Sequence, residues 1–283
     1  MCGGTGGFYQ NLRFMTIDEI KEFAKQIRRT TLQMTFNTRT SHIGGSLSQA
    51  DILAVLYSGV LNCSPDKMDD PQRDRFIESK GHNCASYYAA LALKGFMDYD
   101  ELMEKYCQDG SEYFEHVSHK LPGVELSTGS LGHGFPVACG MALGAKRKGQ
   151  NFNVYCIIGD GEINEGSNWE ALMFAAQHKL DNLCVILDKN QMQAMGDTKD
   201  IMCLDPMADK IKAFQWNVCD INGNDIEQLV KAFESFKKYK GQPTFIIANT
   251  VKGKGISYME HKLRFHYSSP NEEEYKQAME ELR

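Results

Sequence analysis

Two short runs, Val154 to Ile158 and Leu183 to Leu187, are almost wholly apolar and bounded by glycine or polar residues. This is the pattern of strands buried on both faces of a parallel sheet. Between them Trp169, Leu172, Met173, Ala176 and Leu180 recur at helical spacing, so one apolar face can lie back on the sheet and the segment is predicted as a βαβ unit. Arg75 to Ile77, Val218 to Ile221 and Thr244 to Asn249 read as further strands. A first helix is predicted over 16 to 36, with Ile17, Ile20, Phe23, Ala24 and Ile27 on one face and Asp18 and Glu19 in its first turn. The segment SHIGGS reads as a loop carrying His42, followed by a helix that Ser48 caps with Asp51 three residues on. An alanine-rich helix follows His82, and others run from about Pro136 to Lys148 and from Ile226 to about Tyr239. The charged stretch NEEEYKQAMEELR closes the chain as an exposed or interface helix. The expected architecture is α/β, a parallel sheet flanked by helices on both faces.

In a βαβ unit both strands emerge at the same edge, so the residues just past them become neighbours. Here those residues are Asp160 and Asn190, a carboxylate and an amide oxygen at the edge where open α/β sheets bind ligands. Two hard oxygen donors with coordination room to spare suit Mg²⁺, with Ca²⁺ as a substitute, its shell completed by phosphate oxygens and water. Gly159 and Gly161 flank the aspartate without side chains, which lets backbone N–H groups approach a phosphate. A nicotinamide-type G-x-G-x-x-G is excluded, because the sixth position is Asn164. His42 lies in a glycine-bearing loop and His82 beside a glycine, and the glycines at 123, 129, 132 and 134 predict a long loop that passes close to something. Lys252 and Lys254 read as solvated, with phosphate binding as the other reading.

Composition narrows the class. At 283 residues and 42% hydrophobic the chain can bury a large core, and a net charge of -6 without a basic stripe argues against nucleic acid. Nine scattered cysteines without a C-x-x-C pair argue against zinc and against a disulfide framework, and point to a reducing, cytoplasmic setting. The opening MCGGTGGFYQ lacks the features of a signal peptide, and no apolar run approaches the ~20 residues of a membrane span.

GHN at His82, LPGVELSTGSLGHG from Leu121, GDGEINEG from Gly159 and the DKNQMQ that closes the fingerprint occur in one order along nearly the whole chain. In these motifs the sequence resembles the transketolase family, in particular the amino-terminal section of a transketolase split into two polypeptides. The resemblance implies a single thiamine diphosphate-binding PP domain over 1–283, without the family's pyrimidine-binding and carboxyl-terminal domains. It implies that thiamine diphosphate is anchored by a metal held by Asp160, Asn190 and the backbone carbonyl of Met192. Gly159 and Gly161 would face the diphosphate, and Gly129 and Leu131 the pyrimidine edge. His42, His82, His116 and His266 match the family's active-site histidines, His82 and His266 also touching the cofactor, and Glu165 matches a carboxylate near the subunit interface. The family's usual Gly-His-Pro stands here as Glu115-His116-Val117, with His119 close enough to compete, and His133 replaces a common glutamine. The implied activity is transfer of a two-carbon ketol unit from a ketose phosphate to an aldose phosphate, within the pentose phosphate pathway. A second subunit would supply the missing domains in an α2β2 assembly. Other readings are a subunit of another thiamine enzyme, 2-oxoacid dehydrogenase α or deoxyxylulose-phosphate synthase, and a non-catalytic binding subunit.

Overall fold

Five parallel strands, β1 (Arg75–Glu78), β2 (Val154–Gly159), β3 (Leu183–Lys189), β4 (Asn217–Asn222) and β5 (Thr244–Asn249), lie in the order β1-β2-β3-β5-β4 in the computed structural model, which describes residues 15–283. The opening decapeptide, read above as no signal peptide, lies outside the described residues. Helices α1 (Ile17–Thr38), α2 (Ile43–Ser48) and α3 (Ala50–Val55) precede β1 (Arg75–Glu78). Then come α4 (Cys84–Leu93), α5 (Tyr99–Lys105), α6 (Gly134–Arg147), β2 (Val154–Gly159), α7 (Gly166–Gln177) and β3 (Leu183–Lys189). The chain continues through α8 (Thr198–Ile201), α9 (Met207–Ala213), β4 (Asn217–Asn222), α10 (Ile226–Lys238) and β5 (Thr244–Asn249) to α11 (Arg264–Tyr267) and α12 (Glu272–Glu281).

Strand residues alternate between two cores. Tyr155, Ile157, Cys184, Ile186 and Ile246 face one side, where α1, α3, α4 and α10 pack. Val154, Cys156, Ile158, Val185, Leu187 and Ile247 face the other, under α6, α7 and α9. The continuous apolar runs therefore mark strands covered on both faces, each buried Val, Ile or Leu contributing about 1.5–3 kcal/mol. A third cluster, with Leu32, Ile43, Leu47, Ile256, Phe265 and Leu282, ties α2 and the last two helices to α1. No helix among the described residues is long and apolar enough to cross a membrane.

Three local expectations need correction. SHIGGS is not a loop, because Ile43 to Ser48 is helical. Gly44 and Gly45 are there for close packing, since a Cβ would lie 3.1 Å from Lys252 Cγ at the first and 2.6 Å from Asn83 Oδ1 at the second. Ser48 does not cap α3; its hydroxyl, with one hydrogen to give, lies 2.6 Å from Asp188 Oδ2 and 2.8 Å from Gly45 O, both acceptors. On α7 the buried face is Asn168, Ala171, Leu172 and Ala175, which leaves Met173 exposed. The first helix starts on a capping box between Thr16 and Glu19, and α12 on one between Asn271 and Glu274.

Candidate functional site

The carboxyl ends of β1, β2, β3 and β5 deliver their following residues to one cleft of about 380 Å³. Lys80 and His82 follow β1, Asp160 to Glu162 follow β2, Asn190 and Met192 follow β3, and Lys252 follows β5; His42, His116, Gly129 and Leu131 reach the same cleft from other loops, and His266 from α11.

β2 and β3 pair Gly159 with Asp188, so Asp160 and Asn190 leave the sheet side by side. Gln191 N donates to Asp160 Oδ2 at 2.6 Å, while Asp160 Oδ1 is buried with no partner among the described residues. A buried carboxylate oxygen without a partner is costly. Burial first, and then the charge of Asp188, push the Asp160 carboxyl up to about 7. Asn190 Oδ1 accepts from Met192 N at 3.2 Å and keeps a second lone pair. Among the described residues the Met192 carbonyl receives only Lys252 Nζ at 3.4 Å, beyond normal hydrogen-bond length. An orphaned carboxylate oxygen, an amide oxygen and a carbonyl with capacity to spare form a donor set that fits a hard divalent cation. Among the described residues no three His, Cys, Asp or Glu side chains group as a transition-metal centre would need.

Beneath this edge lies a buried polar network that sequence reasoning missed. Asp188 accepts from Lys80 Nζ, from Thr250 Oγ1, from Ser48 Oγ at 2.6 Å and from Asn190 Nδ2 at 3.4 Å. The last contact points the amide nitrogen inward, which leaves Oδ1 as the donor atom for a metal. Glu162, also missed, accepts from Ser79 Oγ, from Gly132 N at 3.1 Å and from Gly159 N at 3.3 Å, so it joins the aspartate turn to the glycine-rich loop. That loop does pass close to something, namely protein: a Cβ at Gly132, where φ is +79°, would lie 2.6 Å from Ser167 Oγ, and one at Gly129 would lie 3.1 Å from His116 Cδ2. Gly161 differs, since the nearest atom to a Cβ there is Gln193 Cγ at 3.9 Å; no protein neighbour demands glycine at that position.

Four histidines from separate segments of the chain converge. The His42 ring lies 5.1 Å from His82, 5.1 Å from His266 and 6.1 Å from His116, and His82 lies 6.2 Å from His266. Burial, followed by nearby Lys80, holds His82 well below the usual imidazole range, and burial also lowers His116, with His42 adding to it. His266 is pushed down to about 3 by burial and then by Lys252. These three rings are therefore neutral at pH 7 and act as hydrogen-bonding groups. Lys252 is not solvated as expected: it is buried, and its Nζ donates to His266 Nδ1 at 2.9 Å, so His266 keeps its proton on Nε2. Burial and then Lys80 push Lys252 down to about 8. Lys254 is half-buried and paired with Glu260 at 3.2 Å.

His119 is exposed and bonded to Ser127 Oγ at 2.7 Å, so His116 is the one of the two that joins the cleft. His133 is exposed at the start of α6, and Glu165 is exposed at the start of α7; neither lines the cleft.

Residues 19–282 match the family model described as transketolase, thiamine diphosphate binding domain. An apulose-4-phosphate transketolase subunit of Actinobacillus succinogenes is 45% identical over 270 residues, covering 95% of this chain and 98% of that protein. A 6-deoxy-6-sulfo-D-fructose transketolase subunit from a Clostridium species is 41% identical over 265 residues, covering 93% and 96%. Among solved structures, the transketolase of Campylobacter jejuni superposes with a TM-score of 0.90 at 33% identity. That match covers 95% of this chain and 43% of the other, so the chain spans less than half the length of such a transketolase.

Proposed function

The chain belongs to the transketolase family, as its thiamine diphosphate-binding part, and from that premise we propose that it is the metal- and diphosphate-binding subunit of a two-chain transketolase. The whole enzyme transfers a two-carbon ketol unit from a ketose phosphate to an aldose phosphate. The observation that carries this reading is the buried, unpartnered Asp160 Oδ1 at the strand edge beside Asn190.

In this reading 1–283 is one diphosphate-binding domain. Asp160, Asn190 and the Met192 carbonyl hold Mg²⁺, for which Ca²⁺ can substitute, and Gly159 and Gly161 offer backbone to the diphosphate. Gly129 and Leu131, both on the cleft wall, offer backbone to the pyrimidine edge. Thiamine diphosphate, when bound, supplies the electron sink that makes the bond beside a ketone breakable. The protein's own part is to bind, orient and handle protons. His266, with its Nδ1 taken by Lys252, presents an N–H donor, and His82 and His116 add neutral imidazoles around the space a sugar would fill. Glu165, exposed at the start of α7, would meet another subunit in this reading.

A partner is supported by two coverage figures. The relatives matched nearly end to end carry "subunit" in their names, whereas the match to the Campylobacter jejuni structure leaves more than half of that chain unaccounted for. The partner would bring the pyrimidine-binding and carboxyl-terminal domains in an α2β2 assembly. The relatives' names, apulose 4-phosphate and a sulfonated fructose, widen the donor set beyond the pentose phosphate pathway. The test is an assay of this chain, the partner and both together, with thiamine diphosphate, Mg²⁺, ribose 5-phosphate and a panel of ketose donors that includes xylulose 5-phosphate. Coenzyme-dependent transfer is expected only from the mixture; full turnover by the lone chain would refute the two-chain reading.

A further inference from the structure

Ser41 and His42 turn the corner between α1 and α2, with His42 at φ +62°, a left-handed backbone that a non-glycine residue holds only when tethered. One tether is backbone, His42 N to His266 O at 2.9 Å. The other is a side chain from a distant loop, Glu115, whose Oε1 accepts from Ser41 N at 2.7 Å and from Ser41 Oγ at 2.5 Å. His42 Nδ1 lies 3.0 Å from the same Ser41 Oγ and 3.3 Å from Glu115 Oε1.

This geometry fixes a proton. Serine has one hydroxyl hydrogen, and at 2.5 Å from a carboxylate oxygen it is committed to Glu115. His42 Nδ1, facing that hydroxyl oxygen and the carboxylate, has only acceptors before it and must carry the hydrogen. Nε2 is then unprotonated and has no protein partner among the described residues, on a ring that lines the cleft. We infer that Glu115 is a positioning residue for the proposed transfer: through Ser41 it locks His42 in the Nδ1–H form and so makes Nε2 the proton acceptor of the histidine cluster. The inference rests on the transketolase reading above for its substrate, and on the hydrogen-bond geometry alone for its tautomer.

The chemistry is that of a carboxylate orienting an imidazole. As the sugar's carbon–carbon bond breaks, its electron pair stays with the two-carbon unit. A sugar hydroxyl loses its proton to Nε2, and the O–H pair closes the product aldehyde C=O. The imidazolium so formed meets the Glu115 charge. The other groups facing His42 are the His82, His116 and His266 rings, with Lys252 behind His266; none of them is an anion. Burial alone would raise the Glu115 carboxyl, but the bonds from His42 and Ser41 outweigh it and hold it down to about 2, so the orienting group is a carboxylate throughout the working range. The family pattern has glycine at this position, and a glycine has no side chain with which to set this tautomer.

The test uses the full chain labelled with ¹⁵N-histidine, free and in the two-chain enzyme, with His42 assigned from a His42→Gln spectrum. The wild type is expected to show protonated Nδ1 and bare Nε2 at His42. Glu115→Gln is expected to lose that signature and to lower kcat roughly 10- to 100-fold with KM within about threefold. A bare Nδ1 in the wild type, an unchanged tautomer in Glu115→Gln, or a raised KM with kcat intact would each overturn the inference. Should Glu115→Gln not fold, Ser41→Ala removes the bridging hydroxyl and carries the same readouts, with a mixed tautomer expected and an unchanged one contradicting it. If the wild-type mixture transfers nothing, the transketolase reading fails while the tautomer measurement still decides the role of Glu115.

Discussion

Asp160→Asn is expected to lower ketol transfer by the two-chain enzyme at least about 100-fold, as loss of a group that holds a metal does, and yet to make the coenzyme-free chain more heat-stable at pH 8. Both follow from one oxygen. Asp160 Oδ1 is buried without a partner, and burial, then Asp188, hold the carboxyl up to about 7. The folded metal-free chain therefore keeps this proton more tightly than the unfolded chain, where an aspartate titrates near about 3.9. The sign is then fixed: stability is lost as the pH rises from about 4 through about 7, and at pH 8 the buried charge costs up to about 4 kcal/mol. Asparagine removes that cost with nearly the same shape, so the gain in Tm should be present at pH 8 and vanish near pH 4. Added Mg²⁺ and thiamine diphosphate should reverse the ranking, because only the wild type gains stability by binding. Melting curves at both pH values, with and without the two ligands, check this. A variant less stable than wild type at pH 8 without ligands would contradict it.

The second large effect concerns the network under the site. Lys80 and Asp188 are both fully buried and bonded to each other, and the ammonium has no other acceptor among the described residues. Asp188→Ala leaves that charge alone in the interior, for which the expected loss is about 3–5 kcal/mol, a large part of the total stability of a folded domain. Lys80→Met should cost less, since Asp188 keeps the hydroxyls of Ser48 and Thr250 and the Asn190 amide. Lys80→Met combined with Asp188→Leu should recover part of the loss. Urea unfolding of the three variants measures the coupling; equal losses in Asp188→Ala and in the double variant would show that the pair is not the source.

How much of this was legible depends on range along the chain. Strands β2, β3 and β5 fall within two residues of their predicted bounds, because burial on both faces demands continuous apolar runs that nothing else in the sequence imitates, and the half-exposed edge strand β4 falls within one. The pairing of Asp160 with Asn190 was legible as well, since parallel topology alone brings those turns together. The histidines were legible only through motif resemblance, for a loop histidine carries no periodicity. Burial of Lys252 was not legible, because its contacts, His266 on α11 and Met192 in the loop after β3, lie in other segments of the chain. Lys80, Asp188, Glu162 and Glu115 escaped for the same reason: a buried charge is tolerated only through partners, and those partners lie 2 to 140 positions away in sequence. Gly44 and Gly45 misled in the opposite direction, being helical residues chosen for thinness in a segment whose glycines read as a loop.

The most direct test is diffraction from the two-chain complex grown with thiamine diphosphate and Mn²⁺ in place of Mg²⁺, with anomalous scattering locating the ion. The expected result is one manganese, at about 2.0–2.3 Å from Asp160 Oδ1, Asn190 Oδ1 and the Met192 carbonyl, bridging to the diphosphate with the coenzyme running toward the four histidines. An ion bound elsewhere, or coenzyme seated without contact to Asp160 and Asn190, would contradict it.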